Sequence, residues 1–217
     1  MHFLRAVMQL QFHILNSGKI LKDLGNRSEP KSHPLGKLSG CITADGSFSL
    51  FNHLFNENFH SHIGAYKEAK EKFLYPAELE RYQTHKKIHI LDICVGLGYN
   101  SACLIEELLK TSTEIEWWGL EIDKRPLNIA LNNPDFRSIW HSEVLSNLES
   151  LNASSFWEGA KSNGRIIWGD ARQNLALLPQ NKNFELILLD AFSPNHCPQL
   201  WSEEFLKCLS LKLIPGG

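Results

Sequence analysis

Residues Ile88–Ser101 read IHILDICVGLGYNS, and the two halves of that stretch decide the fold. The first half is a nearly unbroken apolar run closed by Asp92, the pattern of a strand covered on both faces. The second half sets Gly96 and Gly98 ahead of the amphipathic run NSACLIEELLK, Asn100–Lys110. A strand, a glycine turn and a helix start follow one another. Such a turn lets backbone approach a ligand with no side chain in the way, and the helix start brings spare N–H groups. Gly96, Gly98 and Ser101 approximate a dinucleotide fingerprint whose third glycine is missing.

Working outward, the same alternation continues. IEWWGLEI (115–122) predicts a strand, and KRPLNIALNN (124–133) a helix closed by Asn132, Asn133 and Pro134. A less regular stretch, Phe136 to Asn163, follows. RIIWGD (165–170) and FELILLD (184–190) predict strands, while ARQNLALLP (171–179) and PQLWSEEFLKCLSLKL (198–213) predict helices. Strands alternating with helices imply right-handed crossovers and an α/β, doubly wound, mostly parallel sheet of Rossmann-like form. Ligands of such sheets lie beyond the carboxyl ends of the strands.

Each of the four strands ends on an acid: Asp92, Glu121, Asp170 and Asp190. One such acid is as often the N-cap of the next helix. Four in succession point to a ligand crevice. Glu121, roughly 20 residues beyond the glycine turn, suits ribose hydroxyls, whether of NAD or of S-adenosyl-L-methionine. Asp170 suits an adenine amino group, and Asp190 opens the run DAFSP, with Phe192, Ser193 and Pro194 at the crevice edge. A ring at Phe192 or Tyr99 would gain cation–π attraction beside a sulfonium.

Composition narrows the class. The 217 residues suffice for one sizeable core, and the net charge of −2 argues against a broad nucleic-acid footprint. Charge is uneven, however, with 12 Lys or Arg against 8 Asp or Glu in residues 1–89 and 10 against 16 afterwards. Cys41, Cys94, Cys103, Cys197 and Cys208 are an odd set without tight pairs, so neither a disulfide framework nor a metal site is expected, and a reducing, cytoplasmic setting is. Residues 1–40 are expected to form an N-terminal helix and an irregular arm. The helical stripe of Phe3, Val7, Leu10 and Ile14 is interrupted too often by polar residues for a membrane segment. His60 and His62 flank Ser61 in a polar loop and read as a surface pair. Trp117 and Trp118 read as core and flank.

The motifs TADGSFSL (Thr43–Leu50), HSHIGA (His60–Ala65), DICVGLGYNS, WGDAR and DAFSPNHCPQLW together resemble the methyltransferase domain of the bifunctional tRNA 5-methylaminomethyl-2-thiouridine biosynthesis protein and its stand-alone relatives, within the class I S-adenosyl-L-methionine-dependent methyltransferases. The resemblance covers roughly Thr43 to the end, and a methyltransferase domain is expected over 41–217. It implies S-adenosyl-L-methionine as cofactor, held by Asp92, Gly96, Gly98, Asn100, Glu121, Asp170 and Ala171. It implies Asp190 as the catalytic carboxylate that positions the acceptor amine, and His60, Ser61, Phe192, Ser193 and Pro194 as acceptor contacts. The reaction implied is N-methylation of the 5-aminomethyl group of a wobble 2-thiouridine, with tRNA as partner and a separate FAD-dependent oxidase acting earlier. Two departures stand out. Cys94 occupies the place of the family's first turn glycine, and the chain stops at Ile214–Gly217 where relatives enter a fifth strand. Two other readings are an NAD-dependent oxidoreductase, which leaves DAFSP unexplained, and a degenerate methyltransferase fold kept as a binding partner.

Overall fold

A computed structural model describes residues 33–217. The helix expected near the N-terminus lies outside the described residues. β1 begins at Leu38, inside the stretch read as an arm.

Two sheets carry the chain. β1 (Leu38–Ile42), β2 (Phe48–Asn52) and β3 (Glu57–Asn58) form an antiparallel sheet in sequence order. The TADGS turn joins its first two strands. After helix α1 (Ala65–Ala69), which runs on as a π turn over Lys70–Leu74, come β4 (Lys87–Ile93), α2 (Tyr99–Leu109), β5 (Glu114–Glu121), α3 (Arg125–Leu131), α4 (Pro134–Arg137), α5 (Ser142–Ser154), β6 (Phe156–Glu158), β7 (Ser162–Trp168), α6 (Ala171–Asn174), β8 (Leu186–Leu189) and α7 (Glu203–Ser210). The second sheet has the order β6-β7-β5-β4-β8. β7, β5, β4 and β8 are mutually parallel, and only β6 runs against its neighbour. This is the expected doubly wound, mostly parallel sheet.

Its core lies on both faces. Ile88, Ile90 and Trp117 pack with α2 and α5 on one side; Leu91, Ile93 and Leu120 pack with Phe184 and α7 on the other. The stretch Phe136–Asn163, expected to be irregular, contains the longest helix described, α5, with Val144, Leu148 and Leu151 fully buried. The helix expected over 198–213 is split: a 3-10 turn at Pro198–Leu200 ends at Trp201, and Ser202 caps α7 by accepting a hydrogen bond from the Phe205 N–H.

A bulky ring in a central strand needs space from its own strand. A Cβ on Gly119 would stand 2.2 Å from the Trp117 ring. Gly119→Ala therefore forces the buried indole or the β5 backbone to shift, and the unfolding free energy should fall by about 1–3 kcal/mol. Denaturant unfolding checks this; an unchanged midpoint would show that the ring moves freely.

Candidate functional site

The parallel register brings the strand ends to one edge. Asp92 is level with Gly119 on β5 and Leu188 on β8, so the acids that follow on those strands, Glu121 and Asp190, reach the same edge. Asp92 is fully buried. Its Oδ2 accepts the Ser101 hydroxyl hydrogen, while Oδ1 is buried without a partner. Burial, reinforced by the charges of Asp190 and Glu121 against the Ser101 hydrogen bond, pushes its carboxyl up to about 7.

Glu121 closes the glycine turn. Its Oε2 accepts the Gly96 N–H at 2.9 Å and its Oε1 the Asp123 N–H at 2.8 Å. Burial raises its carboxyl in spite of these bonds. Gly98 sits at φ 93°, the left-handed region, as N-cap of α2. Cys94 has φ 67°, also left-handed. Its position explains why a glycine suits that place: the backbone conformation asks for one. Asn100, on the first turn of α2, donates from Nδ2 to Asp190 Oδ2 at 2.8 Å and leaves a buried Oδ1 unpartnered. Asp190 is half-buried; burial pushes its carboxyl up to about 6, with the Asn100 hydrogen bond opposing.

Asp170 behaves differently. It caps α6 by accepting the Arg172 N–H at 2.9 Å and is gripped by the Arg172 guanidinium, with Nε at 3.0 Å. Burial works to raise its carboxyl, yet the Arg172 contacts win and hold it low. Its oxygens are thus committed to the following turn, and Ala171 behind it is buried.

The DAFSP loop is covered by the antiparallel sheet. Phe192 stacks on Phe55 with centroids 4.7 Å apart, and Phe59 meets it edge-on at 5.0 Å. Ser193 is bound to Glu57, a residue the sequence reading passed over. Pro194 is exposed. Tyr99, read as a ring for a sulfonium, is instead sealed in the core at 1% exposure, its hydroxyl donating to the Phe48 carbonyl at 2.9 Å. His60 is half-buried rather than exposed: its Nδ1 shares a 2.9 Å hydrogen bond with Ser49, its ring packs on Tyr99, and burial pushes the imidazole down to about 4. His62 is exposed as expected. The Ser61 N–H donates to Glu68, which pairs with Lys72. The described residues hold no group of three or more His, Cys, Asp or Glu arranged for a metal, and no helix among them is long and apolar enough to cross a membrane.

Comparison with known proteins agrees with this geometry. A family model described as S-adenosyl-L-methionine-dependent methyltransferase matches residues 134–217. An uncharacterized protein of Methanocaldococcus jannaschii is 29% identical over 182 residues, which cover 81% of this chain and 47% of that relative. The crystal structure of MnmC2 from Aquifex aeolicus superimposes with a TM-score of 0.69 at 27% identity, covering 82% of this chain and 57% of that one. The chain therefore spans about half the length of each.

Two outcomes follow from the buried acid and the strained turn. An acid whose folded pKa is raised holds its proton in the folded state, so its contribution to stability is lost as pH rises through that pKa. Asp92→Asn, which keeps the neutral form, should gain on the wild type by about 1 kcal/mol between pH 6 and 8. Unfolding at both pH values measures it, and parallel pH curves would refute it. Cys94→Gly relieves a left-handed residue at about 1–2 kcal/mol and gives back about half in chain entropy, so it should unfold no earlier than wild type. Cys94→Val, branched at the same φ, should unfold distinctly earlier; a Val variant as stable as Gly would refute the strain.

Proposed function

We propose that this chain, an MnmC-like S-adenosyl-L-methionine-dependent methyltransferase domain, methylates the primary amine of a 5-aminomethyl-2-thiouridine at the tRNA wobble position. The observation that carries the reading is Asp190, a half-buried carboxylate anchored by Asn100 at the end of β8, with Phe192 and Ser193 beside it.

The residues present suit the cofactor. The carboxyls of Asp92, Glu121 and Asp190 are all raised, and Asp92 Oδ1 and Asn100 Oδ1 are buried acceptors in want of donors. A ligand carrying a sulfonium and an ammonium answers both needs. Asp92, Gly96, Gly98, Asn100 and Glu121 would hold it, with Asp170 and Ala171 at the third strand end. When bound, it would supply an electrophilic methyl group together with a neutral thioether as leaving group.

The protein's own part is to present the amine. An alkylamine has a free pKa of about 10.4, so it must lose a proton before its lone pair can attack. A carboxyl near 6 is ionised at neutral pH and is too weak a base to strip an ammonium fully. Asp190 therefore acts as an orienting acceptor: it takes one N–H of the amine in a hydrogen bond and fixes the direction of the lone pair. Fixing that direction is worth a large share of the barrier. After transfer, the same carboxylate stabilises the new secondary ammonium until its proton passes to water. His60 is neutral at working pH by its burial; it and Ser61 would be further contacts for the acceptor.

Asp190→Asn should leave S-adenosylhomocysteine binding intact while methyl transfer falls about a hundredfold, the scale of losing one preorganised polar group. The assay is transfer of labelled methyl to undermodified tRNA bearing the aminomethyl group. A near-normal rate for the Asn variant would reduce Asp190 to a turn cap.

A further inference from the structure

The antiparallel sheet shares no strand pairing with the parallel one, so its hold on the site comes from side chains. It has two anchors. On one side Tyr99 Oη donates to the Phe48 carbonyl, and Arg125 donates to the Gly36 and Leu35 carbonyls at 2.7 and 3.2 Å. On the other, Glu57 of β3 receives three donors from the loop that follows Asp190. The Ser193 N–H lies 3.0 Å from Oε1 and 3.1 Å from Oε2, the Ser193 hydroxyl 2.9 Å from Oε2, and His196 Nδ1 2.7 Å from Oε2. These contacts join residues far apart in sequence. They hold the Glu57 carboxyl low against the effect of burial.

We propose that Glu57 is a positioning residue that latches the antiparallel sheet onto the DAFSP loop and thereby fixes Asp190 and Phe192 for the acceptor amine; this rests on the acceptor role given to that loop above. The geometry is specific to the task. Phe55 and Phe59 flank Glu57 in sequence and both pack on Phe192. The Ser193 carbonyl is taken by the His196 and Cys197 N–H groups, so the loop turns tightly at Ser193. The Ser193 N–H and hydroxyl are satisfied by Glu57 alone among the described contacts. Asp190 itself is tied only by its N–H to the Ile93 carbonyl and by Asn100. Without Glu57, the segment between Asp190 and His196 keeps the Trp201 indole on the Phe192 carbonyl and the Phe55 and Phe59 rings on Phe192, and loses its hydrogen bonds to the antiparallel sheet. The Tyr99 and Arg125 anchors remain, so the sheet stays attached.

The test compares Glu57→Ala and Glu57→Gln with wild type, all saturated with S-adenosylhomocysteine. Amide hydrogen exchange over 191–197 should quicken at least about tenfold in the Ala variant, the loss expected for a charge-assisted hydrogen bond. Glu57→Gln keeps an acceptor for Ser193 and should lie between. Calorimetric affinity for S-adenosylhomocysteine should stay within about threefold, because the contacts proposed for it are untouched. With labelled methyl transfer to aminomethyl tRNA, kcat should fall about tenfold or more in Glu57→Ala, with cofactor KM unchanged and partial recovery in Glu57→Gln. Unchanged exchange overturns the proposal, as does a kcat loss that merely tracks loss of cofactor affinity or of fold stability. If wild type binds S-adenosylhomocysteine yet transfers no methyl to this tRNA, the acceptor reading has failed, and the exchange comparison alone supports or overturns the latch.

Discussion

One hydroxyl joins the three elements that the site is built from. Ser101, on the first turn of α2, donates to Asp92 at the end of β4 and accepts the indole N–H of Trp117 on β5 at 2.9 Å. A hydroxyl has one hydrogen to give and lone pairs to receive, so both partners are served at once. All three residues are wholly buried. The bond therefore sets the start of α2 against both central strands, and the glycine turn between β4 and α2 inherits its path from it. It also explains Gly119: the Trp117 ring that reaches Ser101 lies where the next side chain on that face would stand.

The same hydroxyl leaves Asp92 half satisfied, and that matters for the chemistry. The charges acting most on Asp92 are Asp190 and Glu121, both negative. A fold selected for stability alone would bury apolar groups there, since a buried carboxyl costs several kcal/mol unless paired. Clustered, raised carboxyls at the carboxyl edge of a parallel sheet are instead what a cationic ligand requires, and such perturbed acids concentrate at functional sites. Burial keeps Asp92 partly protonated near neutral pH, and a positive ligand would release that proton.

Much of this could be read from the sequence because it is local. Largely apolar runs such as Ile88–Leu91 and Leu186–Leu189 marked the strands, with Asp92 and Asp190 directly after them. What escaped was set by tertiary contacts. The helix α5 spells SEVLSNLESLNAS, whose Ser and Asn residues are poor helix formers, and it has no side-chain N-cap. Its Val144, Leu148 and Leu151 do recur at helical spacing, a signal present and overlooked. They hold because they pack under α2 and α3, where Leu148 and Leu127 close on Gly98. Tyr99 and His60 were misread for a related reason: polar handles suggested surface or ligand, but Phe48 and Ser49 on β2 supply their partners. Asp170 was legible as an acid at a strand end, while its commitment to Arg172 was not.

Glu57 shows where local reading stops. It stands in LFNENF, a polar residue in an ordinary turn sequence, with nothing nearby to mark it. Its meaning comes from Ser193 and His196, more than half the chain away. The parallel sheet was legible, but its contact with the antiparallel sheet is carried by side chains and has no period. The loop after Asp190 leaves β8 where its pairing with β4 ends, at Leu189. A loop that must hold a carboxylate to within a fraction of an ångström needs support from elsewhere, and positioning of this kind depends on the second layer of contacts as much as on the acid. The antiparallel sheet and the residues beside it provide that support through one carboxylate and two rings, so covering the site and aligning it fall to the same side chains.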